Sequence, residues 1–276
     1  MLVTSLASLN PLSWWRCGDG DTAPTLTDNG SGGNNGTMQN FSTFSTDVPA
    51  APSFTNTKSI ALDGVDDYVD CGNPTSLQIT GELSISAWFK TTYTGGTQMI
   101  VGKDKISGTN RNYILYYSTV SNSMRMIIFK TGQVTSIVSA TSTVTDGNWH
   151  HVLGVNDGTD LKIYVDGVLE GTNSGGGGTI QSGATNFFIG KREGNGGNEN
   201  FWNGSIDEVA VWNSNQSANA SSIYNSGAPN DLSSLSPVSW WRCGDGDTSP
   251  TLTDNGSASN NGTMTNFSTF STDVPT

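Results

Sequence analysis

One stretch of this chain is written twice. Residues 9–49 open LNPLSWWRCGDGDTAPTLTDNGS and residues 235–275 open LSPVSWWRCGDGDTSPTLTDNGS; the offset is 226, and only positions 10, 12, 23, 32, 33 and 39 differ from their partners. Solenoid and propeller repeats recur every 20–50 residues or so, roughly, so a period this long describes a whole domain rather than a stackable unit. The duplication predicts one complete domain over residues 1–230, followed by residues 235–276 as the opening strands of a second, incomplete unit. Such a segment has three possible fates: it packs on its own domain, it inserts into a neighbouring subunit where its twin sits and so builds a homo-oligomer, or it is a duplication remnant.

The segments between the copies narrow the fold class. Glycine is abundant, at 34 of 276 residues; Ser, Thr and Asn fill the gaps between short apolar runs, and long helical periodicity is missing. That pattern predicts an all-β chain, a two-sheet antiparallel sandwich, because many short strands need many turns. A unit of this length buries a sizeable core without help from a metal or a disulfide.

Charge excludes one class of partner. The net charge is −12 with only 12 Lys and Arg residues, and no basic cluster exceeds Lys103–Lys105 or Lys191–Arg192. A phosphate-gripping surface needs a basic stripe, so nucleic acid is not an expected partner. No apolar run reaches the roughly 20 residues that cross a bilayer, so membrane insertion is not expected. The opening MLVTSLASLNPLSWW lacks the basic n-region of a signal peptide, and the expectation is a product that is released within an assembly or stays in the cytosol.

The strand pattern is explicit. SIALDGVDDYVDC (59–71) gives two short strands around an Asp-Gly turn. In ELSISAWFKT, Leu83, Ile85, Ala87 and Phe89 alternate with Ser84, Ser86, Trp88 and Lys90, the period-two signature of a half-buried strand. Further strands are expected at 12–17, at Met38–Phe41 and at 98–103, 112–118, 123–130, 133–140, 149–156, 186–191 and 204–213. LKIYVDGVLEG (161–171) is a hairpin, with Asp166-Gly167 supplying the positive φ angles of a type I′ turn. A helical turn or two is predicted over 217–226, with Ser217 as N-cap and Gly227 as the stop. Cys17, Cys71 and Cys243 each end an apolar run; buried free thiols or a Cys17–Cys71 bridge would both fit, and no CxxC spacing points to a metal.

Six motifs in order, DGVDDYVDC (63–71), LSISAWFK (83–90), GNWHHVLGV (147–155), LKIYVDGVLEG (161–171), NFFIGK (186–191) and GSIDEVAVWN (204–213), make the chain resemble the laminin-G-like, concanavalin-A-like jelly-roll family. In its wording the WWRCGDG…TDNGSGGNNGTM opening also resembles proteins encoded by marine bacteriophages. The family resemblance implies two packed antiparallel sheets of six or seven strands each, with the first and last strands adjacent. Members bind carbohydrates or proteins, often with calcium. The fold alone does not choose among these.

Candidate sites follow from residue chemistry. Asp19, Asp21, Asp28, Asp63, Asp66, Asp67 and Asp207 lie in or beside turns, and calcium takes six to eight oxygens from such loops; Asp-Gly and Asp-Asn pairs also serve turn geometry alone. In the family an ion ties the opening loop to the Ile-Asp-Glu segment, which carries over to Asp28, Asn34 and Asp207 as metal ligands. His150 and His151 point to opposite faces of a strand and read as structural. None of Glu82, Glu170, Glu193, Glu199 and Glu208 has the Glu-x-Asp-x-x-Glu spacing of family glucanases, and hydrolysis needs paired carboxylates, so no enzyme activity is expected. For a sugar platform the loop aromatics Trp202 and Tyr93, with Asn200, are the candidates. The function expected is a virion surface or fibre module that binds host-surface glycan and sits among other virion proteins. A sugar-free capsid or tail decoration protein and a secreted cellular adhesin are the alternatives.

Overall fold

The chain divides at residue 53 rather than at 230. Met1–Ser53 form one compact unit and Phe54–Thr276 the other in the computed structural model, which describes residues 10–18, 20–40, 43–45, 54–105, 110–132, 134–194 and 198–276. The opening residues 1–9, Asp19, Phe41 and Gln133 lie outside the described residues.

In the smaller unit, β1 (Thr25–Leu26) pairs with β2 (Gly36–Thr37). The strand expected over 12–17 is reduced to a single bridge between Trp15 and Asp28. Its twin behaves differently, as described below.

The larger unit holds β3 (Ile60–Asp63), β4 (Tyr68–Asp70), β5 (Leu83–Lys90), β6 (Gln98–Asp104), β7 (Arg111–Ser118), β8 (Ser123–Lys130) and β9 (Val134–Ser139). It continues with β10 (Trp149–Asn156), β11 (Leu161–Val165), β12 (Val168–Asn173), β13 (Phe188–Ile189), β14 (Arg192–Glu193), β15 (Asn198–Glu199) and β16 (Asn203–Trp212). The C-terminal copy adds β17 (Ser239–Trp241), β18 (Thr251–Leu252) and β19 (Gly262–Thr265). One sheet of seven strands runs β12-β11-β10-β5-β16-β17, with β3 also paired to β16. The other, of eight, runs β18-β19-β4-β13-β6-β7-β8-β9. All these pairings are antiparallel, so the all-β sandwich is the fold.

Residues 235–276 are therefore not the start of an absent second sandwich. Val209–Val211 of β16 pair with β17, and Tyr68–Asp70 of β4 pair with β19. Without the copy both strands would present open hydrogen-bonding edges there, an unsatisfied and association-prone arrangement. Trp241, Cys243, Leu252 and Met264 lie in the main core beside Phe187, Val209 and Val69, and Trp241 stacks on Phe187 at 5.2 Å.

Alternation places Leu83, Ile85, Ala87 and Phe89 inward. Their partners are not solvent-facing as the polar residues suggest: Ser84, Ser86 and Trp88 are buried as well. The cover is the segment after β16. A 3-10 turn at Ser217–Asn219 leads into α1 (Ala220–Tyr224), and Ala220, Ile223 and Leu232 pack with Leu153, Val155, Ala210, Trp212 and Trp240 in a second apolar layer. Ser217 begins this turn but its side chain caps nothing; Asn225, in the left-handed region, ends the helix. At the predicted hairpin Asp166 and Gly167 have φ of 49° and 76°, and a Cβ on Gly167 would lie 2.9 Å from the Tyr224 ring.

The two histidines divide as adjacent strand residues must. His150 lies between Asp166 and Asp146, at 2.8 and 3.1 Å, and the hydrogen bond to the Asp166 carboxylate raises its pKa. His151 is buried against the rings of Trp88 and Tyr224; burial lowers its pKa to about 4. An unfolded histidine protonates near 6.5, so below that pH the unfolded chain takes up a proton that the folded chain refuses. Stability falls as pH drops from about 6.5 to 4, on the order of 3 kcal/mol for this group alone. Denaturant melts across that window should lose this portion of their slope in His151→Phe. The raised pKa of His150 works in the opposite sense and is present in both proteins.

Candidate functional site

Three loops meet at one rim of the sandwich, and Asn203 laces them. Its side-chain amide donates to the carbonyl of Asp63 at 2.7 Å, its backbone N–H donates to Gln98 Oε1 at 2.7 Å, and its carbonyl accepts the Thr91 hydroxyl at 2.7 Å. Gln98 in turn donates to the carbonyl of Tyr93 at 3.3 Å. Asn200, with φ of 58°, donates to the carbonyl of Thr97 at 2.9 Å. Residues 63–68, 91–98 and 198–203 are thus held together by side chain–backbone bonds, the usual way irregular segments satisfy their polar groups.

Tyr93 and Trp202 separate sharply. Tyr93 is 40% exposed, and its ring lies over Gly95, where a Cβ would come within 2.9 Å of the hydroxyl. Trp202 is fully buried in the main core and meets Phe89 edge to face at 5.7 Å. Trp202 therefore offers no ring face to a ligand, which corrects the sequence expectation: the residue immediately precedes β16 and is turned inward onto Phe89. Asn200 acts as a loop clasp, with its amide N–H committed to Thr97.

Of the expected metal ligands, Asp28 and Asn34 lie in the smaller unit and Asp207 in the larger, and each is engaged within its own unit. Asp28 accepts the backbone N–H groups of Trp14, Gly30 and Asn34 at 2.7–2.8 Å, and the Trp14 bond leads in lowering its pKa to about 2. Asn34 donates its side-chain amide to Ser13. Both belong to the smaller unit. Asp254, the twin of Asp28, makes the same three bonds with Trp240, Gly256 and Asn260, so the carboxylate serves loop geometry in both copies.

Asp207 belongs to a buried knot that the sequence did not reveal. A break in register between Asp207 and Ala210 turns Glu208, with φ of 46°, inward beside it. Glu208 accepts the Trp240 indole N–H at 2.5 Å and the Arg242 guanidinium at 3.1 Å; Arg242 also donates to the carbonyl of Thr55. Asp207 accepts the Asn56 amide, at 2.8 Å, and the N–H of Glu208. Burial, with the Glu208 charge added, pushes Asp207 well up, while burial takes Glu208 to about 7 with Arg242 opposing. Both carboxyls are sealed inside, so neither reaches a scissile bond. A raised carboxyl pKa means that ionisation favours the unfolded chain above the ordinary range. Asp207→Asn should therefore leave stability unchanged near pH 4 and raise the melting temperature at pH 7, since the Asn56 carbonyl oxygen, now without a partner, can accept the new amide.

One oxygen-rich group does lie at the rim. Carboxylate oxygens of Asp63, Asp66 and Asp67 fall within 4.8 Å of one another. Asp63 accepts the N–H groups of Val65 and Asp66, and Asp67 accepts that of Asp63. Burial raises the Asp67 pKa, and the charges of Asp63 and Asp66 add to it. The DGVDD spelling was visible among the acidic turns, but its convergence depends on the β3–β4 turn geometry. The cysteines are free: Cys71 and Cys243 are buried and Cys17 is exposed, which sets aside both a Cys17–Cys71 bridge and a buried Cys17.

Residues 63–220 match the concanavalin A-like lectin/glucanases superfamily, in its Laminin_G_3 form. The chain belongs to this family. No curated protein matches this laminin-G-like chain in sequence. Among solved structures it is similar to a Bacteroides ovatus ATCC 8483 protein described as carbohydrate binding, at 19% identity and a TM-score of 0.60, covering 80% of this chain and 62% of that one. This laminin-G-like chain thus spans under two thirds of that relative's length. It is also similar to the CBM40 module of a Ruminococcus gnavus IT-sialidase, solved with α2,3-sialyllactose, at 16% identity and a TM-score of 0.52, covering 60% of this chain and 96% of that module. At these identities the likeness concerns the fold.

Proposed function

We propose that the chain is a non-enzymatic carbohydrate-recognition module whose sugar site is the laced rim of residues 63–68, 91–98 and 198–203. The observation that carries this reading is Tyr93: a large aromatic left 40% exposed on a loop pinned from both sides by Gln98 and Asn200. A ring face held in place stacks on the apolar C–H face of a pyranose with little ordering cost, which is the value of preorganisation. Aromatic stacking with a few placed polar groups is the general make-up of small-ligand sites.

Calcium fits the same rim. The Asp63, Asp66 and Asp67 donors are all hard oxygens, the ligand type this ion takes; burial raises the Asp67 pKa first, and the part added by the Asp63 and Asp66 charges would be relieved by a cation. When bound, the ion would supply positive charge for sugar hydroxyls, while Tyr93 supplies the apolar contact.

The ligand class follows from charge. With a net charge of −12 and three carboxylates at the rim, an anionic glycan meets long-range repulsion, so we assign a neutral glycan. Glycan-array binding with and without chelator tests this, with sialyllactose, the ligand of the R. gnavus module, as the anionic comparator. The expected result is binding to neutral glycans that Tyr93→Ala lowers at least tenfold while the melting temperature holds. Trp202→Ala instead costs about 3–5 kcal/mol of stability, as for a buried Trp. No glycan bound in either condition would overturn the reading in favour of an architectural protein.

A further inference from the structure

The two copies of the 41-residue segment are in different surroundings but share one internal scaffold. The Trp14 N–H donates to Asp28 at 2.7 Å and the Trp240 N–H to Asp254 at 2.7 Å. The Asp28 N–H meets Asn35 at 2.9 Å, and the Asp254 N–H meets Asn261 at 3.0 Å. Asp21 and Asp247 each clasp a glycine N–H and a threonine N–H, and each second tryptophan donates its indole N–H to an asparagine carbonyl at 2.9 Å. The pairing of β1 with β2 repeats that of β18 with β19 in register, Thr25 with Thr37 against Thr251 with Thr263.

What differs is cover. Trp241 is fully buried and Trp15 is 41% exposed; Val238 is 8% exposed and its counterpart Leu12 is 71% exposed. Cys243 is buried and Cys17 is exposed. The first copy thus holds the shape of the second, while Leu12, Trp15 and Cys17 are exposed where Val238, Trp241 and Cys243 are buried.

We propose that residues 9–49 and 235–276 are alternative occupants of one seat in the sandwich, the place along β16 and β4, and that they exchange within a single chain. Most of the residues that fill the seat are the same in both copies. Trp240, Trp241, Arg242, Cys243, Leu252, Asn260 and Met264 correspond to Trp14, Trp15, Arg16, Cys17, Leu26, Asn34 and Met38. Of the six differing positions, Val238 and Ala258 touch the core, and Leu12 and Gly32 replace them. Thr265 pairs with Tyr68 through its backbone, so Gln39 can take its place.

Chain length permits the exchange. Ser59 pairs with Ser271 by two backbone hydrogen bonds, 3.0 and 2.9 Å. Ser45 is the twin of Ser271, and 13 residues separate it from Ser59, ample for an antiparallel turn whose paired Cα atoms are about 5.5 Å apart. Residues 1–276 offer two occupants for one seat, and both are tethered to it in the same molecule. Linking chains fills no additional seat and forfeits the effective concentration of a tethered segment, on the order of millimolar.

Full-length chains test this. In Ser45→Cys/Ser59→Cys a disulfide within the monomer should close under mild oxidation, as it should in Ser59→Cys/Ser271→Cys; hydrogen-bonded strand pairs have Cα separations within disulfide reach. In Trp241→Ala the first copy should take the seat, so the melting temperature moves less than about 5 °C, Cys17 becomes slow to react with maleimide and Cys243 becomes fast. Trp15→Ala alone should be neutral, and the double variant should lose its cooperative transition. The proposal is overturned if the Ser45–Ser59 pair stays reduced or links only separate chains, or if Trp241→Ala unfolds as completely as the double variant. Glycan binding plays no part in these readouts, so the result stands apart from the sugar-site reading.

Discussion

The closing of the sandwich along β16 is the constraint on which the rest depends. This strand pairs with β5 along much of its length, with β3 at its start and with β17 near its end. Each neighbour meets a different stretch of the same backbone, and the break in register after Asp207 divides the stretches. Without β17 the β16 edge would lie open, and with it the main core beneath Trp241, Cys243 and Leu252. An antiparallel pair contributes more through the apolar face it holds down than through its hydrogen bonds, whose net worth is about 1 kcal/mol each.

That closing strand also explains where polar groups are tolerated inside. Glu208 faces inward because the break in register turns it there, and it is held by an indole and a guanidinium that both belong to the terminal copy. Removing one partner of such a group leaves a buried charge uncompensated, which is far costlier than the pair's net contribution. The knot therefore makes the seat selective for a Trp-Trp-Arg segment and poorly suited to an arbitrary strand.

The alternation of Leu83 to Phe89, the Asp166-Gly167 hairpin and the six ordered motifs made the sheets legible in the sequence. The outer cover of β5 was not, because Ser84 and Ser86 look solvent-facing until Ala220 and Ile223 are placed over the sheet. Trp202 misled for a related reason: its polar neighbours Asn200 and Asn203 look like loop residues, yet the chain turns the ring inward just before β16. Tyr93 was readable as a loop aromatic, whereas the link from its loop to the Asp63 loop runs through Asn203 and is a matter of tertiary placement. The location of the domain boundary was not legible, since two segments that share nearly all their core residues specify nearly the same neighbours. Only their surroundings distinguish them.

The spacing of the copies has a consequence for how such a protein can lengthen. A crossover joining equivalent points of the two repeats inserts or deletes a block of 226 residues, and each block carries β3 to β16 together with one set of closing strands. Because the joint falls within a segment that is nearly the same on either side, every sandwich in the longer or shorter product keeps its complement of strands. Growth by whole beads on a string, with no bead left unsealed, is built into the arrangement.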